Sequence, residues 1–249
     1  MTREPRVHPD LSSASRALAG ELARVSAEAV HERDRFTWVI SGGRTPRELF
    51  GLLRGPFRRR IPWKKTELFF ADERCVPPED SESNFGLAWT TFLSSVPIER
   101  RRIYRMRGEM RPPAEGARRY ARWIGTLPPM RSDAPPRFDV VLLGIGPDGH
   151  TASLFPGQSA VRERRRTVVA VPRSGQPPFV PRITLTPPAL SCAREVWFLV
   201  AGGDKTTAVA RIFRSGSEGD PRVPASCIGS CGRQLWFLDR PAAAGLRSP

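Results

Sequence analysis

Val140-Val-Leu-Leu-Gly-Ile-Gly-Pro-Asp-Gly-His150-Thr-Ala-Ser-Leu-Phe-Pro-Gly157 is the stretch that decides the fold. Its apolar run, Val140 to Leu143, reads as a buried strand. The run passes into glycines, a proline and an aspartate, residues that force a tight turn, and His150 follows that turn. The chain has 3 histidines, and the other two, His8 and His31, fall in or near an N-terminal helix candidate. A single imidazole is thus presented by a bent loop at the end of a buried strand, where open α/β sheets gather their chemistry. A Gly-rich turn also serves as plain architecture. Further strand-end turns, at Ser41 and at Ala201, give the functional reading its weight.

Outward from that turn, strands and helices alternate. Leu11, Leu18, Leu22, Val25 and Ala29 recur at helical spacing and predict an amphipathic helix over Leu11 to His31. Phe36 to Ile40 reads as a short strand. Thr45 to Leu53 reads as a helix, with Thr45 as N-cap, Pro46 in the first turn and Glu48 closing a capping box. Glu67 to Ala71 is a strand, Asp72 to Asn84 a long loop, Phe85 to Phe92 a helix, Pro113 to Thr126 a helix and Phe138 to Leu143 a strand. Beyond the turn, Val168 to Val171, Ile183 to Leu185, Val196 to Val200 and Leu235 to Leu238 read as strands, with a helix over Lys205 to Phe213. The Pro-rich stretches Pro128 to Arg137 and Arg173 to Pro181 read as loops inside one domain spanning residues 1–249, because strands resume on either side. The alternation implies an α/β fold: a Rossmann-like, doubly wound, mainly parallel sheet with helices on both faces.

Composition narrows the function. At 249 residues and 39% hydrophobic, the chain can bury a sizeable core. Met1 to Arg6 is charged and no apolar h-region follows, and no stretch approaches the roughly 18 apolar residues of a membrane span. A cytoplasmic protein is the expectation. Cys75, Cys192, Cys227 and Cys231 are too sparse for a disulfide framework, and no second Cys/His pair accompanies the last two, so reduced thiols and no metal are expected. The formal charge of +15 taken alone suggests an anionic partner. Of the 40 basic residues only Lys64, Lys65 and Lys205 are lysine, and the arginines are dispersed with no aromatic platform among them. That pattern argues for a coding bias rather than a nucleic-acid site, while the field still favours an anionic metabolite.

Four strand-end loops carry the candidate chemistry. In Ser41-Gly-Gly-Arg-Thr-Pro46, the glycines allow close backbone approach and the following helix offers free N–H groups, an arrangement suited to a phosphate. The loop is neither a Walker A sequence nor G-x-G-x-x-G, which speaks against a nucleotide. Asp72-Glu-Arg74 is a charged cluster at the end of the strand before it. The His150 turn is the third. In Ala201-Gly-Gly-Asp-Lys205, Asp204 is expected to cap the next helix, and Lys205 opposes the helix dipole there, an oddity that an anion would explain. Arg182, opening the strand Ile183 to Leu185, offers a second cation. One histidine, carboxylates, a phosphate cradle and cations suit acid–base chemistry on a phosphorylated small molecule.

These residues resemble the 6-phosphogluconolactonase family. Its Ser-Gly-Gly-x-Thr-Pro, Asp-Glu-Arg with Ser-Asn, Gly-x-Gly-x-Asp-Gly-His-x-Ala-Ser-Leu-Phe-Pro, Arg-Ile-Thr and Gly-x-x-Lys match Ser41 to Pro46, Asp72 to Arg74 with Ser83-Asn84, Gly144 to Pro156, Arg182 to Thr184 and Gly202 to Lys205, in order. The resemblance implies hydrolysis of 6-phosphoglucono-δ-lactone to 6-phosphogluconate in the oxidative pentose phosphate pathway. It also implies a Rossmann-like fold shared with glucosamine-6-phosphate deaminase, and no required metal or other cofactor. Deaminases usually continue from the histidine as Ile-Ala-Phe-Asn-Glu, whereas Thr151-Ala-Ser-Leu-Phe-Pro156 stands here. Arg44 departs from the serine usual in the family.

The expected roles follow. His150 acts as general base on a water, Arg74 serves either the oxyanion or the phosphate, and Asp72 orients His150 or a sugar hydroxyl. Gly42, Gly43, Arg44, Thr45, Arg182 and Lys205 hold the phosphate. The partner is a small phosphorylated sugar lactone, with no nucleic acid and no membrane, and a monomer is expected. A deaminase-like enzyme, or a non-catalytic sugar-phosphate-binding regulator on the same fold, is the alternative.

Overall fold

The apolar run at Val140 becomes the central strand of a seven-stranded sheet. The computed structural model describes residues 3–127, 135, 137–216 and 218–246. Its first half runs β1 (Arg3–His8), α1 (Leu11–Arg33), β2 (Phe36–Ile40), α2 (Pro46–Arg54), β3 (Thr66–Phe70), β4 (Asp72–Arg74), α3 (Asn84–Thr91), β5 (Ile103–Tyr104) and α4 (Pro113–Ile124). The second half runs β6 (Val140–Leu143), β7 (Val168–Val171), β8 (Arg182–Leu185), α5 (Pro187–Ser191), β9 (Glu195–Val200), α6 (Thr206–Arg214), β10 (Arg233–Asp239) and α7 (Arg240–Ala243).

The main sheet has the order β1-β10-β9-β6-β2-β3-β5 and every pairing in it is parallel. Parallel strands are covered on both faces, which is why their sequences read as continuous apolar runs. The pleat divides each run between two cores. On one side Trp38, Ile40, Leu142 and Phe237 meet Leu18, Leu22, Phe50 and Leu53 of α1 and α2. On the other, Val39, Val141, Leu143 and Trp236 meet Ile124, Leu190 and Ile212. Trp38 is fully buried, and truncating such a side chain to alanine costs about 3–5 kcal/mol. Helix α1 starts where Asp10 accepts the Ser13 N–H at 2.7 Å and stops at Asp34, which takes the left-handed conformation.

The connection from β2 through α2 leads to β3 on one side, while β6 neighbours β9 on the other. The crevice between the carboxyl ends of β2 and β6 is therefore the topological switch point of the sheet. The Ser41 hydroxyl donates to the carbonyl of Leu142 at 3.0 Å and ties the two strand ends together there.

Several expectations are corrected. Val168–Val171 and Arg182–Leu185 do not extend the main sheet. They form an antiparallel three-stranded sheet with β4, in the order β4-β8-β7. Ala71 joins the two sheets: its N–H donates to Ile40 at 2.8 Å and its carbonyl accepts from Leu185 at 2.8 Å. The predicted loop after β3 thus begins as a strand, and Asp72 to Arg74 are paired rather than free. Thr45 does not cap α2. It already has helical dihedrals (φ −56°, ψ −45°), so its hydroxyl makes no capping bond and the box with Glu48 does not form. Asp204 does not cap α6 either, because Gly203–Lys205 is a separate 3-10 turn. The strand β1 carries His8 and was not legible, since Arg3-Glu-Pro-Arg-Val-His has neither an apolar run nor alternation. Most of the loop Pro128 to Arg137, namely residues 128–134 and 136, lies outside the described residues.

Candidate active site

The loops after β2, β6 and β9 and the small sheet enclose a cleft of about 710 Å³. All nine residues singled out in the sequence line it: His150, Asp72, Arg74, Gly42, Gly43, Arg44, Thr45, Arg182 and Lys205. Bringing them together requires both sheets, because β4 and β8 supply Asp72, Arg74 and Arg182 while the main sheet supplies the rest.

His150 is fixed by its own turn. Its Nδ1 lies 2.6 Å from Oδ1 of Asp148, and the same oxygen accepts the backbone N–H of His150 at 3.1 Å. Gln176 donates to the other oxygen at 3.3 Å. Burial alone would raise the Asp148 carboxyl; the His150 ring and N–H and the Gln176 amide outweigh it and hold the group at about 2. Gly146 is required beside this ring, for a Cβ there would stand 2.1 Å from it. The ring also lies 4.9 Å from that of Phe155, centroid to centroid.

The carboxylate on the imidazole is therefore Asp148, so of the two roles expected for Asp72 the orienting of His150 falls away and the sugar hydroxyl is left. Asp72 is buried and accepts the Ser153 hydroxyl at 2.6 Å and the Asn84 amide at 3.1 Å. Asn84 in turn is packed against Gly42, where a Cβ would lie 1.8 Å from its Oδ1. Glycine at 42 is thus a matter of room for Asn84 as well as of approach to a ligand. Asn84 is placed by Glu73, whose Oε1 accepts the N–H groups of Asn84 and Arg74 at 2.7 Å each.

The cations occupy two places. Arg74 and Arg182 are opposite one another across β4 and β8, an unfavourable pairing of like charges by itself and a favourable one toward an anion. Both Nε atoms are buried without a hydrogen-bond partner. Burial lowers the pKa of the Arg182 guanidinium, Asp72 pulls it back up and Arg74 adds to the lowering. Arg182 is anchored by the Pro178 carbonyl at 2.9 Å, and Arg74 by the Glu82 carbonyl at 2.5 Å. Lys205 and exposed Arg44 line the cleft as well. Asp204 pairs with the Lys205 ammonium at 2.8 Å. The loop before α6 is held instead by Asp239, which accepts the Gly202 N–H at 3.0 Å and that of Ala242 at 2.8 Å.

Gln176 and Asp239 escaped the sequence reading, while Asp148 and Asn84 stood in its quoted motifs without an assigned role. Asp148 was legible as the carboxylate two residues before the histidine, a spacing that lets one side chain reach the next ring. Among the described residues no group of three or more His, Cys, Asp or Glu side chains is arranged to hold a metal. No helix among them is long and apolar enough to cross a membrane.

Known proteins share this architecture. The family model described as glucosamine-6-phosphate isomerases/6-phosphogluconolactonase matches residues 9–236. The 6-phosphogluconolactonase of Streptomyces coelicolor is 40% identical over 246 residues, covering 96% of this chain and 93% of that protein. That of Synechocystis is 37% identical over 233 residues, covering 93% of each. The solved structure of 6-phosphogluconolactonase from Trypanosoma brucei superimposes with a TM-score of 0.85 at 25% identity, covering 99% of both chains. By sequence and by fold, the chain belongs to the glucosamine-6-phosphate isomerase/6-phosphogluconolactonase family.

Proposed function

We propose that the protein hydrolyses 6-phosphoglucono-δ-lactone to 6-phosphogluconate, acting as a monomer in the cytoplasm. The observation that carries the reading is the Asp148–His150 hydrogen bond at the wall of a cleft that also holds Lys205, Arg182 and Arg74. With Asp148 ionised, the imidazole keeps its proton on Nδ1, and Nε2 is the base. Nε2 takes a proton from a water whose oxygen attacks the lactone carbonyl. The carbon–ring-oxygen bond then breaks, and the ring oxygen leaves as a hydroxyl carrying that proton. Arg74 stabilises the oxyanion, and Asp72 accepts a sugar hydroxyl. Gly42, Gly43, Arg44 and Thr45 receive the phosphate with Lys205 and Arg182.

The identities of 37–40% with 6-phosphogluconolactonases over nearly the whole chain support the choice of substrate. So does the sequence after His150, where Thr151 to Phe155 carries no carboxylate of the kind a deaminase uses for ring opening. The test is lactone consumption by the purified protein, followed above spontaneous hydrolysis, with ammonia release from glucosamine 6-phosphate measured in parallel. Acceleration of lactone loss without ammonia supports the reading. Ammonia release, or no acceleration of lactone loss, overturns it.

A further inference from the structure

A second cavity, of about 720 Å³, opens beside the edge strand β5 and shares no lining residue with the catalytic cleft. Its walls combine two kinds of group that seldom meet without a ligand to use both. Phe85 and Trp89, one turn apart on α3, stack with centroids 6.0 Å apart and planes inclined by 27°, and Trp123 of α4 adds a third ring. Arg47, Arg100, Arg105 and Arg107 converge on the same space. Arg105 is matched by Glu109 through two bonds of 2.8 and 2.9 Å. Arg47, Arg100 and Arg107 have no carboxylate at ion-pair distance among the described residues. Arg100 instead sits over Trp89 at 4.6 Å from the ring centroid, and Arg107 over Trp123 at 6.0 Å.

Four arginines line the cavity against two carboxylates, Glu79 and Asp80, and the excess of positive charge favours an anion. A simple inorganic anion would leave the three rings unused. A ligand with a flat π face and a polyanionic tail uses both, since bases stack on aromatic side chains and guanidinium groups bind phosphate through paired bonds. Glu79 and Asp80 at the rim provide acceptors for hydroxyl or amino groups between face and tail. The volume lies within the range of small-molecule sites. We propose that this cavity is a binding site for a nucleoside polyphosphate, with the base on the Phe85–Trp89 platform and the phosphates on Arg47, Arg100 and Arg107.

The probe is ADP, titrated into the full-length protein by calorimetry and by tryptophan fluorescence. Trp38, Trp63, Trp197 and Trp236 are at most 2% exposed, so a quench reports on Trp89 and Trp123. Saturable binding with quenching is expected, with pyrophosphate and adenosine each at least about tenfold weaker than ADP. Trp89→Leu should weaken ADP roughly tenfold, and the Arg100→Ala, Arg107→Ala double variant on the order of a hundredfold. Both should keep lactone turnover, which verifies that they fold. Lys205→Ala should bind ADP as the parent does. No saturable ADP binding, equal affinity for pyrophosphate and ADP, or loss of ADP binding in Lys205→Ala overturns the proposal, the last by placing the nucleotide in the catalytic cleft.

Discussion

Oδ1 of Asp148 receives two bonds from one residue, His150: the ring Nδ1 at 2.6 Å and the backbone N–H at 3.1 Å. A side chain two positions back thereby fixes both the rotamer and the tautomer of the imidazole, and Gln176, 28 residues on, steadies that carboxylate through its other oxygen. The pair is local, so its geometry depends on the turn itself, which Gly146 and the left-handed Gly149 (φ 81°) make possible.

If this pair is the catalytic base, removing either half should act on turnover rather than on folding. His150→Ala should lower kcat by about 100- to 10,000-fold, the usual worth of a general base. Asp148→Asn should lower kcat as well, because an amide can turn its NH2 toward Nδ1 and drive the proton to Nε2. The circular dichroism spectrum should be unchanged in both. Near-normal kcat in His150→Ala would remove the histidine from the mechanism; normal kcat in Asp148→Asn would remove only the tautomer argument.

The low pKa of Asp148 has a consequence for stability. The folded value of about 2 lies below the ordinary 3.8. The contribution is therefore fully present above about pH 4 and is lost as pH falls through 2. Allowing for the partial exposure of the side chain, it amounts to roughly 1–2 kcal/mol. The stability gap between the parent and Asp148→Asn, measured by urea unfolding, should shrink by roughly half between pH 5 and pH 3. A gap independent of pH over that range would show that the carboxylate is not stabilised by its partners.

Glu73 makes the opposite case. Burial pushes its carboxyl up to about 7, against the N–H bonds of Phe85, Asn84 and Arg74. The folded state then holds a proton that the unfolded chain releases above its ordinary value of 4.5, so stability falls as pH rises between about 4.5 and 7. Glu73→Gln should flatten that slope. It should also cost about 1–3 kcal/mol at acid pH, since an NH2 group would face an N–H donor on one side. For a chain of this size the loss corresponds to roughly 2–10 °C in Tm. An unchanged Tm together with an unchanged pH slope would mean that Glu73 does not hold the Ser83–Phe85 segment.

How much of this was legible in the sequence depends on whether the signal was local. Phe36–Ile40 stands where its largely apolar run placed it, because a strand of a parallel sheet is covered on both faces, and Val168–Val171 stands where its run placed it too, as an edge strand of the small antiparallel sheet. The nine candidate site residues converge because each stands in or beside a strand, and that much is a periodicity argument. The membership of β7 and β8 in a separate sheet was not legible, since their pairing with β4 is decided by long-range hydrogen bonds such as Leu185 to Ala71. The caps misled for a related reason. Thr45 and Asp204 are good capping types, but the backbone enters both helices already helical or in a 3-10 turn, so neither side chain can reach back. Asp239, which does hold the loop before α6, lies 37 residues from its Gly202 partner, and no local pattern connects them.

Lys205 offers the sharpest division between binding and chemistry. Its ammonium is engaged at 2.8 Å by Asp204, whose side chain is 59% exposed, whereas that of Lys205 is 15% exposed. An exposed partner of this kind is worth about 0–1 kcal/mol, so an incoming phosphate displaces it at little cost. The phosphate is remote from the lactone carbonyl, and its contacts should be similar in the ground and transition states. Such uniform binding is seen in KM more than in kcat. Lys205→Ala should therefore raise KM on the order of tenfold to a hundredfold, the worth of a charge-assisted bond. Asp204→Ala should change KM by less than about fivefold, and downward if it changes, because it frees the ammonium. Lys205→Arg should recover only part of the loss, since a planar fork approaches phosphate differently from a point charge. Unphosphorylated gluconolactone provides the contrast: its KM should be indifferent to Lys205→Ala. If both lactones weaken equally, Lys205 does not hold the phosphate and must act on the reacting end of the substrate.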